Sequence, residues 1–222
     1  MRRMAVATFL VLAGGALVGI ALAVPKPADV PISWELQFTY KTPQPVRVTL
    51  PGQRQPTTFW YLEYTVTNQT KEEQRFVPDF VLYTGTGQVL RSGQGVPSSV
   101  FEKIKADLNA PLLKDQVSVS GKLLRGLNNA KQGVMIFQDI DPEAGAFDIF
   151  VGGLSGESVA VTLPNPVPKV VRVSNRDANR TTVMKDAVVL SKTLQLHYGL
   201  PGQASSRFRS GAVFKSRTWV MR

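Results

Sequence analysis

The sequence predicts a mainly β fold, an antiparallel sandwich or barrel, on three observations. Short alternations of apolar and polar residues recur along residues 32–163. Turn-forming residues, 18 Gly and 15 Pro, break the chain between them. Only one stretch has helical spacing, whereas an α/β sheet would need long helices between its strands. Alternation is the signature because successive side chains of a strand point to opposite faces.

Taken in order, the first strand is expected over residues 32–40, with Ile32, Trp34, Leu36, Phe38 and Tyr40 on one face. Residues 46–50 repeat the pattern and stop at Pro51-Gly52, a turn signal. In residues 57–67, Trp60, Leu62, Tyr64 and Val66 share a face. Trp34, Trp60 and Tyr64 are assigned to the core, leaving Phe59 and Tyr61 to be covered by a second sheet or by the tail. Residues 75–84 follow, with Pro78 at an edge or bulge because it has no N–H to donate. Gly85-Thr86-Gly87 turns that strand into residues 88–91 as a hairpin. Ser99-Val100-Phe101-Glu102 fits a capping box and opens the one short helix, with Phe101, Ile104 and Leu108 at helical spacing and Ala110-Pro111 closing it. Strands are expected again over residues 117–124, 133–137, 146–151 and 158–163, and strand-like runs over 170–173, 187–197 and 212–220.

Charge divides the chain. Residues 27–168 hold 12 Lys and Arg against 14 Asp and Glu, while residues 169–222 hold 11 against 2. The net charge of +10 is therefore a property of the tail. At the other end, Arg2-Arg3 precedes a run without charge that closes on Ala21-Leu22-Ala23. This order reads as a secretory signal peptide cleaved after Ala23, with Ala21 and Ala23 as the small residues of the cleavage site. An uncleaved membrane anchor is the alternative, since about 20 apolar residues span a bilayer. The expected division is a signal or anchor over 1–23, a Pro-rich spacer over 24–31, a sandwich over 32–163 and a basic, partly strand-forming extension over 164–222.

Few residues suggest chemistry. There is no cysteine, which excludes disulfides, a thiolate nucleophile, cysteine-based zinc sites and a lipid-bearing cysteine. His197 is the sole histidine; a catalytic base needs an orienting partner and zinc needs three or four ligands, so a structural or solvent-facing imidazole is expected. Gly153-Leu154-Ser155-Gly156-Glu157 approaches a nucleophile elbow, but Glu157 stands where the last glycine belongs, and a turn is expected. Gly85-Thr86-Gly87 joins two strands and opens no helix, unlike a dinucleotide fingerprint. Asp139, Asp141 and Glu143 could offer oxygens to calcium, yet Pro142 and the missing distal glutamate break the EF-hand pattern, so a solvated turn is expected. Glu35 and Glu63 would form a glycosidase pair only if the fold set their carboxyls at the required separation. Asn68-Gln69-Thr70 and Asn179-Arg180-Thr181 fit the glycosylation sequon. No catalytic, cofactor-binding or metal-binding residue is assigned. The basic tail supplies the candidates for an anionic or protein partner: Arg172, Arg176, Arg180, Arg207, Arg209 and Arg217, interleaved with Phe208, Phe214 and Trp219.

Val66-Thr67-Asn68, then Phe80-Val81-Leu82-Tyr83 before a glycine turn, and later the run from Lys131 to Phe137 together resemble the FxLYD-type families of exported bacterial domains. Thr84 stands where those families carry Asp, and the resemblance covers residues 34–163. It implies an immunoglobulin-like antiparallel β-sandwich in the periplasm, the cell envelope or the medium, without catalytic machinery or cofactor. Residues 193–198 and 219–222 are similar to a closing pattern of exported planctomycetal proteins. The expected function is a non-catalytic binding or structural module engaging an envelope protein or an anionic surface through sheet edges or the basic tail. A hydrolase of envelope polymers, or a polyanion binder acting through the tail, is the alternative; nucleic acid is not an expected partner of an exported chain.

Overall fold

The computed structural model describes residues 25–172, 180–205 and 207–222. The fold is mainly β, and every strand ladder is antiparallel. Ala21, Ala23, Arg176 and Asn179 lie outside the described residues.

The first sheet is organised by the strongest alternation in the sequence. Strand β3 (Thr57–Thr67) pairs with β8 (Lys131–Gln138) along one side. On the other side its two halves pair with β1 (Gln37–Tyr40) and β2 (Gln44–Val48). The second sheet sets β9 (Ala146–Gly152) between β5 (Asp79–Thr84) and β11 (Arg180–Gly199), with β6 (Val89–Arg91) beyond β5. Strand β12 (Val213–Met221) pairs with the C-terminal part of β11, and β10 (Ser158–Arg172) with its N-terminal part. A small third ladder joins β4 (Gln74–Phe76) to β7 (Gly121–Leu123). Pro78 lies between β4 and β5, which belong to different sheets, so the proline that cannot donate marks the switch.

One apolar cluster unites the two large sheets. Leu62, Tyr64, Val66, Met135 and Phe137 of the first meet Phe80, Leu82, Phe147, Ile149, Leu194 and Leu196 of the second. Edge-to-face aromatic pairs cross the gap, Trp60 with Phe147 at 6.0 Å and Tyr64 with Phe80 at 5.1 Å. Burying each such side chain contributes about 1.5–3 kcal/mol. As expected, Trp60 and Tyr64 are core; Trp34, also assigned there, is only partly buried and packs at the margin of the cluster. Among the described residues the back of the first sheet is covered by neither a sheet nor the tail. Helix α1 (Ser98–Asp107) lays Val100 and Ile104 on Phe59, Val134 and Ile136.

The structure corrects four expectations. The helix begins at Ser98 behind Pro97, whose fixed φ of −65° makes it the cap, so Ser99 is already inside the first turn and the capping box does not form. Residues 117–124 do not make one strand, because Asp115 Oδ1 accepts a hydrogen bond from Ser118 N (2.6 Å) and caps a one-turn helix α2 (Gln116–Val119), leaving only β7 extended. The first strand starts at Gln37; Ile32 is 76% exposed, and residues 34–36 bond to residues 154–156 instead, as a single bridge centred on Glu35 and Ser155. Finally, the chain after Leu163 is not an appended extension. β10 continues past Pro164, with a break in its register against β11 between Thr162 and Val167, and β11 forms the interior of the second sheet with Leu194, Leu196 and Tyr198 fully buried.

Candidate functional site

The side chains of β11 that point inward are Lys192, Leu194, Leu196 and Tyr198, so a cation occupies a core-facing position. Lys192 is 3% exposed, and its Nζ lies 3.2 Å from both Glu35 Oε2 and Glu157 Oε2, 3.4 Å from Ala28 O and 5.2 Å from the Trp219 ring centre. The Glu157 Oε2 contact is an ion pair without the alignment of a hydrogen bond. Glu157 Oε1 accepts from Ala28 N at 2.8 Å. That bond, set against burial and assisted by Lys192, holds the Glu157 carboxyl below its ordinary pKa. Burial pulls the Lys192 ammonium down, but the two carboxylates beside it, Glu35 and Glu157, outweigh it and leave the pKa raised.

This cluster ties the segment 25–31 to the body and floors a pocket of about 600 Å³. Its walls are that Pro-rich segment on one side and Thr218, Trp219, Val220 and Met221 of β12 on the other. Sequence reasoning did not single out Lys192. The signal was present, because a lysine in register with Leu194 and Leu196 on an apolar face needs a buried partner.

The remaining candidates are distributed. His197 Nδ1 and Asp148 Oδ1 are 2.9 Å apart on the outer face of the second sheet, and Gln195 Nε2 donates to the same oxygen at 3.0 Å. The imidazole is 40% exposed. Asp141 organises a turn: it accepts from Thr86 Oγ1 at 2.5 Å and from Glu143 N at 2.9 Å, and these bonds lower its pKa. No group of three or more metal-ligating side chains occurs among the described residues. Glu63 pairs with Lys41 and Glu35 with Lys192, so each carboxylate serves a different cation. Ser155 Oγ accepts from Glu157 N at 3.1 Å, as part of a turn. Asn68 is fully buried, donating to Glu72 O and Leu123 O, and that sequon is closed in the folded chain.

Of the tail arginines, Arg207 donates to Gly202 O in its own loop and to Pro142 O, tying that loop to the turn at Asp141. Arg209 lies in the one-turn helix α3 (Arg207–Ser210), and Arg217 is exposed on β12. The register brings Arg172 and Arg180 directly opposite one another. Arg222 instead lies over Phe150 and Tyr83, 4.3 and 4.9 Å from the ring centres. No helix among the described residues is long and apolar enough to cross a membrane.

No family model, no curated protein and no solved structure matches the chain.

Proposed function

We propose that this chain is an exported, non-catalytic binding module of the cell envelope, an immunoglobulin-like sandwich that docks on an anionic surface through the ribbon formed by β10 and β11. The observation behind this reading is the ribbon's charge and register. From Arg180 to Leu190, β11 pairs only with β10 among the described residues, and at about 3.3 Å per residue this stretch is roughly 33 Å long. Arg172 stands opposite Arg180, and Lys169 and Lys185 fall on the alternate face. Like charges directly opposed weaken a ladder, and a two-stranded ribbon is marginal in water. A polyanion across that end offsets both costs.

The test is co-sedimentation of the full chain with phosphatidylglycerol vesicles and with neutral phosphatidylcholine vesicles over a salt series. Binding to the anionic vesicles alone, falling steeply with salt and lost in the variant carrying Lys169→Glu, Arg172→Glu, Arg180→Glu and Lys185→Glu, is the expected result. Equal binding to both vesicles, or retention by the variant, overturns the reading.

A further inference from the structure

Strand β12 is an edge of the second sheet: among the described residues it pairs with β11 alone. Ser191 and Arg222 exchange both backbone hydrogen bonds, at 2.8 and 3.1 Å. Antiparallel pairing alternates from there, so Val220, Thr218 and Ser216 bond to β11, while the N–H and C=O groups of Met221, Trp219 and Arg217 point away from it. Four consecutive residues of this edge, Thr218 to Met221, line the 600 Å³ pocket.

The facing wall cannot close this edge. Three of the seven residues in 25–31 are prolines, and the segment is held at Ala28, whose N–H and C=O are engaged by Glu157 and Lys192. It therefore stands across the pocket from β12 without pairing to it. The result is a slot bounded by Trp219 and Met221, by prolines, and by unpaired ladder groups. Between Val213 and Arg222 the only charges are Lys215, Arg217 and Arg222, all positive. Edge-to-edge pairing of two copies would juxtapose these cations, whereas an acidic strand complements them.

We infer that the free edge of β12 beside residues 25–31 is a strand-addition site for an extended peptide of another protein, apolar where it meets Trp219 and Met221 and acidic toward its C-terminal end. The polarity follows from antiparallel addition, which brings the peptide's C-terminal end alongside Lys215 and Arg217. The site uses no residue of the β10–β11 ribbon, so it stands or falls separately from docking on anionic surfaces.

The probe is a synthetic nine-residue peptide of alternating valine and threonine ending in two aspartates, titrated against the full chain by calorimetry with amide hydrogen exchange. Saturable binding that protects the Arg217, Trp219 and Met221 amides is expected. N-methylation of two alternate peptide amides should weaken it at least about tenfold, because each lost donor removes one ladder bond. Arg217→Glu should reverse the preference, favouring a peptide ending in two lysines; Arg217→Pro, tolerable at an outward-facing edge position, should weaken binding of either peptide. Equal binding of the N-methylated peptide, or no protection of the three amides, overturns the inference. So does protection already present in the free chain: if independent of protein concentration it assigns the edge to residues 1–24, and if rising with concentration to a second copy.

Discussion

Gly133 lies directly across the ladder from Tyr64, and the phenol ring of Tyr64 covers the space in which a side chain at 133 would begin. The ring can turn from there toward Phe80 and Phe38 because its cross-strand neighbour has no Cβ. Gly133→Ala is therefore expected to destabilise the protein by about 1–3 kcal/mol, the usual cost of overpacking, as a lower midpoint in urea. Tyr64→Phe should be neutral or stabilising by up to about 1 kcal/mol, because the buried hydroxyl has no hydrogen-bond partner among the described residues.

Two lysines should respond differently to truncation. Lys41 bonds Glu63 while 70% exposed, and Lys41→Ala should change stability by no more than about 0.5 kcal/mol. Lys192→Ala leaves Glu35 and Glu157 facing each other without a cation and releases Ala28 O. A clearly larger fall in Tm is expected, with earlier proteolysis of the segment 25–31.

Stability should be highest between two pH limits. Glu157 has a lowered pKa in the fold, so its contribution is complete above its ordinary value of 4.5 and is lost as pH falls through the folded one. Burial raises Tyr64 and Tyr198, and Lys192 is raised by its carboxylates; stability from these groups is complete below 10 and is lost as pH rises further. Denaturant titrations across pH should show both limbs. Glu157→Gln should flatten the acid limb, and Tyr64→Phe with Tyr198→Phe the tyrosine part of the alkaline one.

The two serine-and-acid starts in the sequence should separate on mutation. Ser99→Ala should be nearly silent, since that hydroxyl caps nothing, while Asp115→Ala should cost about 1 kcal/mol through loss of its bond to Ser118 N. Ile104→Ala, at the interface of α1 with the first sheet, should cost about 2–5 kcal/mol. Thermal melts of the three variants decide the order.

Alternation made β3, the β5–β6 hairpin and the core assignment of Trp60 and Tyr64 legible, because those strands bury one face and follow the period-two rule. It misled at residues 117–119, where the Asp115 cap captured the backbone, and at residues 32–36, where the chain makes only a single bridge, Glu35 with Ser155, before the strand begins. The Lys192 cluster was half legible. A cation on an apolar face announces a buried partner, but nothing in the sequence indicates that the partners are Glu35 and Glu157, one of them 157 residues away. Composition grouped the tail arginines together, whereas the fold gives Arg207 and Arg222 to local packing and sets Arg172 against Arg180 in the ribbon.

The place of β11 also fixes when this protein is able to fold. Its residues Lys192 to Gly199 lie between β9 and β12, so a nascent chain that has reached Pro168 holds two sheets with the middle of one missing and the groups meant for Leu194 and Leu196 still open to water. Closure depends on residues that follow β9 only after β10 and the first half of β11, and contacts of such sequence separation form late. The polypeptide is thus kept without its finished core until β11 has been made, and any truncation before Leu196 removes a keystone rather than a tail.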